Sequence, residues 1–331
     1  MRIVFRTEGN HQQGMGDVIG SLALADECVK QADEILFVIS GGDEAIAAIT
    51  ERGYRLHTAP TWESEQQILH AFHPDVILVN KLNNPARYIR SLKSLAGLVV
   101  TIDDAGEGAQ WADLKFNVLY HVPGAVTDSH YVALRYEFKV MHGREKAISS
   151  QVRELLVMQG GSDTYGFTPR IIRAVEGIRI RPHCTVVVGP AFRHEDDLQH
   201  AMGASTLDLT LVRNAHNMAE LMWRADLAIT AAGLGMFELL CVGTPSLIIC
   251  GERFEVETAS RLEKAGAVVN LGFGGDMNYG QLPKAVEAFA MDVERRKQLS
   301  FRGKQLVDGC GCKRVLDLIR HHTVAVERSG R

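Results

Sequence analysis

The fold is decided by the segment Ala225-Asp-Leu-Ala-Ile-Thr230 and its continuation Ala231-Ala-Gly-Leu-Gly-Met-Phe-Glu238. A short apolar run ends at small residues and a new apolar pattern begins at Met236, which predicts a strand, a tight turn and a helix. Gly233 and Gly235 allow a ligand to approach the backbone closely, and the first N–H groups of a helix are free to bind an anion. The turn is therefore either a phosphate or diphosphate site or an ordinary strand–helix connection.

Glu238 falls about one turn into this helix. Its carboxylate is placed to accept hydrogen bonds from a ribose diol, and the alternative is a solvated side chain. A second turn, Gly160-Gly161-Ser162-Asp163, offers backbone donors and a hydroxyl, or is a simple turn with a helix cap. The residues predicted to bind the nucleotide and its diphosphate at these two turns are Gly161, Ser162, Ala232, Gly233, Leu234, Gly235, Met236 and Glu238.

Apolar runs alternate with helical patterns along the chain, beginning with the strand-like Arg2–Arg6. This alternation predicts an α/β fold with parallel sheets covered on both faces. The polar stretch 122–150 lacks the alternation, and the length of 331 residues favours two domains. We expect two doubly wound Rossmann-like domains facing a cleft at the carboxyl ends of their strands.

The composition excludes several classes of protein. With 46% apolar residues and a net charge of −4, the chain is typical of a globular protein and gives no reason to expect nucleic acid as a partner. No apolar run is long enough for a membrane span, and the sequence starts with a strand-like segment, so we expect neither a membrane span nor a signal peptide. Six scattered cysteines favour a cytoplasmic location. Cys310-Gly-Cys312 and His321-His322 match no standard zinc spacing, so no metal is expected.

Over nearly its whole length the chain resembles the UDP-sugar hydrolase of pseudaminic acid synthesis and the related spore-coat polysaccharide proteins. These are similar in turn to the glycosyltransferase that adds N-acetylglucosamine to lipid I. The resemblance rests on the order and spacing of Phe5-Arg6, Gly14-Met-Gly16, Asp103-Asp104, Tyr131-Val-Ala-Leu-Arg135-Tyr-Glu137-Phe138, Gly160-Gly-Ser-Asp163, Val188-Gly189-Pro190, Met218-Ala-Glu-Leu221, Ala225-Asp226-Leu-Ala-Ile229, Glu238, Gly243-Thr-Pro245 and Asp308-Gly-Cys-Gly311 through Arg314.

The resemblance implies the glycosyltransferase B fold, with the nucleotide held mainly by the C-terminal domain. On this basis we expect a sugar- or acceptor-side domain over 1–140 and a nucleotide-binding domain over 141–310. The final helix, within 311–331, is expected to pack back on the N-terminal domain. No cofactor is implied. The expected partners are a nucleotide sugar and, in addition, other enzymes of sugar biosynthesis.

The chain departs from the family pattern at the sugar side. The family's catalytic His after Gly-x-Gly corresponds to Asp17, and an Arg three residues later corresponds to Gly20. Its Asp-His-Tyr corresponds to Asn80-Lys81-Leu82, and its Asn-Gln near the diphosphate corresponds to Phe254-Glu255, which adds Glu255 to the nucleotide site. The residues expected on the sugar side are Arg6, Gly14, Gly16, Asn80, Lys81, Asp103 and Asp104.

Asp17 follows a Gly-Met-Gly turn at a predicted helix start. It is therefore either an N-cap or a general base on the sugar side, since an ionised carboxylate accepts a proton from water or a hydroxyl. His11, just ahead of the turn, is a further source of the missing imidazole.

The sequence predicts an enzyme that acts on a nucleoside-diphosphate sugar, with UDP as the expected carrier. Its leading reaction is attack of water on the anomeric carbon, which releases UDP and a free sugar for surface-glycan synthesis. The alternatives are an inverting glycosyltransferase and a non-catalytic nucleotide-sugar-binding protein.

Overall fold

The computed structural model describes residues 1–120 and 122–328. Contacts divide the chain into two units, an N-terminal unit of residues 1–10, 15–135 and 309–331 and a C-terminal unit of residues 11–14 and 136–308. Residues 329–331, included in the predicted final segment, lie outside the described residues. Each unit is built on one sheet, and helices precede and follow nearly every strand.

The N-terminal sheet has six parallel strands in the order β3-β2-β1-β4-β5-β6. The strands are β1 (Arg2–Thr7), β2 (Glu34–Ile39), β3 (Leu56–Thr58), β4 (Val76–Asn80), β5 (Leu98–Ile102) and β6 (Leu114–Phe116). The helices of this unit are α1 (Gly16–Val29), α2 (Asp43–Glu51), α3 (Trp62–Phe72), α4 (Ala86–Leu92) and, at the end of the chain, α13 (Gly311–Arg328).

The C-terminal sheet repeats this arrangement in the order β12-β11-β10-β7-β8-β9. Its parallel strands are β7 (Glu154–Met158), β8 (His183–Val188), β9 (Leu209–Arg213), β10 (Leu227–Thr230), β11 (Ser246–Cys250) and β12 (Val269–Phe273). Its helices are α5 (Tyr136–His142), α6 (Phe167–Val175), α7 (Glu195–Gly203), α8 (Met218–Arg224), α9 (Leu234–Val242), α10 (Glu255–Lys264), α11 (Leu282–Met291) and α12 (Val293–Leu306).

The central strands are continuous apolar runs because both faces of each sheet are covered. Every residue of β4 and of β5 is buried, and so is every residue of β10 and of β11. Parallel sheets require this covering, since their crossover helices lie on the faces. The strand order reverses between β1 and β4 in one sheet and between β7 and β10 in the other. Loops diverge at such switch points, which places ligand sites at the carboxyl ends of these strands.

The C-terminal helix packs on the N-terminal unit. Helix α13 packs against α1, and Cys312 Sγ donates to Leu134 O at 3.4 Å. A Cβ on Gly311 would lie 1.9 Å from Val132 O. Only glycine allows this approach, so the start of α13 is fixed against residues 132–134 of the same unit.

Three local features differ from the sequence expectations. Strand β6 was not predicted, because its three residues show no alternation of their own. Asn217 and Glu220 have the sequence spacing that predicts a capping box at the start of α8, but the Asn217 side chain makes no capping hydrogen bond there. A capping box occurs instead at α3, where the Thr61 hydroxyl accepts the Ser64 N–H at 3.3 Å.

Candidate functional site

Asp17 lies in the first turn of α1, at the carboxyl end of β1. The helix begins at Gly16 with Met15 as its N-cap, and no side chain caps it. The interpretation of Asp17 as an N-cap is therefore wrong. The end of β4 holds this turn in place, because Asn80 Nδ2 donates to Asp17 O at 2.9 Å and to Ser21 Oγ at 3.2 Å.

The surroundings of Asp17 favour its protonated form. Removal from water raises the pKa of Asp17 well above its usual value, the charges of Asp103, Glu8 and Asp104 raise it further, and Lys81 opposes them. Glu8 and Lys81 pair at 3.4 Å between Oε2 and Nζ. A carboxylate with a raised pKa is a stronger base than an ordinary one, which suits a proton acceptor.

Asp103 and Asp104, after β5, hold loops by accepting backbone N–H groups. Asp103 has a positive φ of 48°, and its Oδ1 accepts the Leu119 N–H at 2.8 Å. Oδ1 of the fully buried Asp104 accepts the N–H groups of Asn84 at 3.1 Å and Gly106 at 2.8 Å. Burial raises the pKa of Asp104 against these hydrogen bonds. The structure gives Asp104 a structural role and leaves Asp103 close enough to act on the charge of Asp17.

Arg6 and Gly14 were both expected on the sugar side, but the structure gives them other surroundings. Arg6 is buried, and its Nε pairs with Glu65 Oε2 at 3.1 Å, while the Tyr88 hydroxyl donates to the other Glu65 oxygen at 2.6 Å. This pair joins β1 to α3 and α4 within the core. Gly14, with a φ of 80°, groups with the C-terminal unit.

In the C-terminal unit, the loop after β7 combines a helix cap with two neighbouring hydroxyl groups. Asp163 Oδ1 and Oδ2 accept the N–H groups of Phe167 and Thr168, each at 2.8 Å, so Asp163 caps α6. Ser162 is buried, and its hydroxyl lies 3.2 Å from that of Thr164. Of the two interpretations of this loop, the helix cap holds for Asp163, and the hydroxyls remain candidates for a ligand.

Helix α9 begins at Leu234 without a side-chain cap. A Cβ on Gly235 would lie 2.6 Å from Met158 Cε, so a larger residue there would require the end of the Met158 side chain to shift. Ala232 and Met236 are buried at this turn, and Glu238 is only 5% exposed. The turn therefore presents the uncapped first N–H groups of a helix, with a nearly buried carboxylate one turn further on.

Glu255 occupies backbone donors that a phosphate would otherwise use. Its Oε2 accepts the N–H groups of Gly251 at 2.7 Å and Glu252 at 3.2 Å, and the carboxyl group also accepts the Ala232 N–H. Burial raises the pKa of Glu255 against these hydrogen bonds. The predicted role of Glu255 toward the diphosphate is not supported by this geometry, since the side chain is an acceptor and carries negative charge.

Two neighbours of these sites were missed in the sequence. Glu8 is the first residue after β1, and that position at a carboxyl strand end was a usable signal. His194 follows β8, and its ring centroid lies 5.7 Å from that of His11. No sequence pattern relates those two histidines.

The described residues contain no group of three His, Cys, Asp or Glu side chains placed to hold a metal ion. Among these residues no helix is both long enough and apolar enough to cross a membrane. All six cysteines are free thiols.

The chain has two similar proteins of note among curated sequences. It is 27% identical over 270 residues to an uncharacterized protein of Methanocaldococcus jannaschii, and the match covers 75% of this chain and 55% of that protein. The chain thus spans about half the length of this relative. It is 25% identical to a spore coat polysaccharide biosynthesis protein of Bacillus subtilis, over 97% of this chain and 98% of that protein. No protein-family model matches the chain.

Solved structures with the same architecture are found at low sequence identity. MurG of Acinetobacter baumannii superposes with a TM-score of 0.66 at 13% identity, over 97% of this chain and 100% of that one. The fold is that of the B-type glycosyltransferases. Alr3699/HepE of Anabaena, solved in complex with UDP-glucose, gives a TM-score of 0.60 at 12% identity, over 97% of this chain and 100% of that one. The predicted fold class is confirmed, as is the resemblance to a spore-coat polysaccharide protein.

Proposed function

We propose that this protein is an inverting glycosyltransferase that uses a nucleoside-diphosphate sugar in polysaccharide synthesis. The observation that carries the proposal is the end-to-end similarity to a spore coat polysaccharide biosynthesis protein, on a chain with a B-type glycosyltransferase fold. UDP is the expected carrier, because one structure of this fold was solved with UDP-glucose. These comparisons favour transfer over the hydrolysis that the sequence resemblance suggested first.

The C-terminal unit is proposed to hold the nucleotide. The uncapped start of α9 offers the backbone N–H groups of Gly233, Leu234 and Gly235 to an anion, and the helix dipole favours negative charge there. Ser162 adds a hydroxyl, and Glu238 is assigned to the ribose diol. Gly161 allows close approach of the backbone after β7.

Asp17 is proposed as the base. Its carboxylate takes the proton of the acceptor hydroxyl, and the oxygen forms a bond to the anomeric carbon. The bond from that carbon to the phosphate oxygen breaks, and its electron pair leaves with the nucleoside diphosphate. Asn80 holds the turn that carries Asp17 by its hydrogen bond to Asp17 O, and the charge of Lys81 favours the ionised carboxylate of Asp17. Backbone donors stabilise the leaving diphosphate.

The test uses UDP-, dTDP- and GDP-sugars and measures release of the nucleoside diphosphate. A transferase releases it only after an acceptor fraction from cell envelopes is added. Release in plain oxygen-18 water, with the label on the anomeric carbon, would establish hydrolysis instead. Tight binding of a nucleotide sugar, with no release of the nucleoside diphosphate under any condition, would indicate a non-catalytic binding protein. Binding of none of the panel would overturn the proposal.

A further inference from the structure

The segment His11–Gly14 belongs to the C-terminal unit, although the chain on both sides of it belongs to the N-terminal unit. His11 Nδ1 lies 2.7 Å from Ala191 O in the loop after β8. The Thr164 hydroxyl, in the loop after β7, donates to His11 O at 3.3 Å. Both loops lie at the carboxyl end of the C-terminal sheet, so the imidazole is fixed beside the candidate diphosphate loop.

These contacts fix the protonation pattern of the ring. A carbonyl oxygen accepts hydrogen bonds and never donates, so Nδ1 of His11 carries a hydrogen in both charge states. The proton that imidazole gains or loses is therefore on Nε2. In the protonated ring Nε2–H is a cationic donor, the kind of group that binds phosphate oxygens.

The carboxylates of Asp163 and Glu195 already have partners, so they are less able to repel an anion near His11. Asp163 uses both oxygens to cap α6, and Glu195, after His194, pairs with Arg213. The titratable His194 ring lies 5.7 Å from the His11 ring between centroids, with its Nε2 at 3.2 Å from Thr164 O, and Arg193 precedes it.

The hydroxyl side of the loop also reaches this segment. A Cβ on Gly14 would lie 3.8 Å from Ser162 Oγ. The Ser162 and Thr164 hydroxyls therefore lie beside the segment that carries His11.

We propose that His11 binds the diphosphate of the nucleotide sugar through Nε2–H. The inference rests on the proposed function and deepens it. It gives the donor site a cation from the N-terminal part of the sequence. Binding requires no covalent change at His11, and the imidazolium stabilises the charge of the leaving diphosphate.

The test is calorimetric titration of the parent protein and its variants with UDP-glucose. His11→Asn keeps a donor to Ala191 O but lacks Nε2, and its affinity should be about tenfold or more below that of the parent, as expected for loss of a charge-assisted hydrogen bond. His11→Gln places an uncharged amide near the Nε2 position and should bind with an affinity between these limits.

His200→Asn is the matched control, because His200 Nδ1 also lies 2.7 Å from a backbone carbonyl, that of Asp196, on exposed α7. It should keep the parent affinity, and so should His194→Asn. The parent affinity in His11→Asn, or an equally large loss in His194→Asn, would overturn the inference and leave the proposed function standing. Failure of the parent to bind any nucleotide sugar of the panel would overturn both.

Discussion

Asp17 is placed where its charge costs stability. Burial and neighbouring carboxylates raise its pKa, so the stability linked to this group is full below the unfolded pKa and is lost as pH rises through the folded pKa. Asp17→Asn should therefore raise Tm at about pH 8, by on the order of 2–4 °C per kcal/mol of repulsion removed. The gain should shrink as pH falls towards about pH 4. Turnover should fall about 10²–10⁴-fold, because Asn cannot accept the proton.

For Asp128 we expect the opposite dependence of stability on pH. The His130 N–H, followed by smaller contributions from the His130 ring and Arg314, lowers the pKa of Asp128. Its stabilising contribution is present above the unfolded pKa and is lost as pH falls through the folded pKa. Asp128→Asn should lower Tm at neutral pH without changing turnover. A lower Tm for Asp17→Asn at about pH 8, or full activity, would remove Asp17 from the proposed role.

The proposed contact between Glu238 and the ribose diol can be tested by substitution. Glu238→Ala should weaken UDP binding by about 1.5–3 kcal/mol, the range for a hydrogen bond to a charged group. Glu220→Ala is the control, since Glu220 is a carboxylate of the same unit that pairs with Arg224 at the surface of α8. Equal affinities of Glu238→Ala and the control in calorimetric titration would exclude Glu238 from the nucleotide site.

At the scale of the element, the loop after β7 depends on Asp163. Asp163→Ala removes the acceptor of two N–H groups at the start of α6 and should destabilise the protein by about 1–2 kcal/mol. Asp163→Asn keeps one acceptor oxygen and should lose less. Thermal unfolding of both variants checks the order. A loss in Asp163→Asn as large as that in Asp163→Ala would mean that the carboxylate charge, and not capping, matters.

Some features of the fold could be predicted from local sequence patterns and others could not. The strands were predicted because covered parallel strands are continuous apolar runs, as in β4, whereas the three residues of β6 have no pattern to read. The N-cap was assigned wrongly to Asp17 because the helix starts two residues earlier than that assignment requires, at Gly16 with Met15 as its N-cap. The buried pair of Arg6 with Glu65 and the contact of His11 with Ala191 join residues far apart in the chain, and local patterns contain no information about such contacts.

For the whole molecule, the two units provide separate reporters. Trp62 and Trp111 belong to the N-terminal unit and Trp223 to the C-terminal unit. UDP at about 100 times its Kd should stabilise the unit that binds it by about 2.7 kcal/mol, a shift in Tm of about 5–10 °C. Fluorescence of Trp62→Phe/Trp111→Phe should report this shift.

Trp223→Phe is the matched variant for the other unit, and its two remaining tryptophans should report a smaller shift with UDP. A larger shift in Trp223→Phe than in the double variant would place the nucleotide on the N-terminal unit.

The packing of α13 on the N-terminal unit sets an order of events at the ribosome. Domains of a growing chain generally fold as units, with the N-terminal one first. Here the surface of α1 stays uncovered until α13, which follows the C-terminal unit in the sequence, has been synthesised, because α13 packs against α1 and Arg320 pairs with Asp33 just after α1. The N-terminal unit is therefore completed only after the whole C-terminal unit has been made, and a ribosome that stalls before α13 would leave the N-terminal unit open.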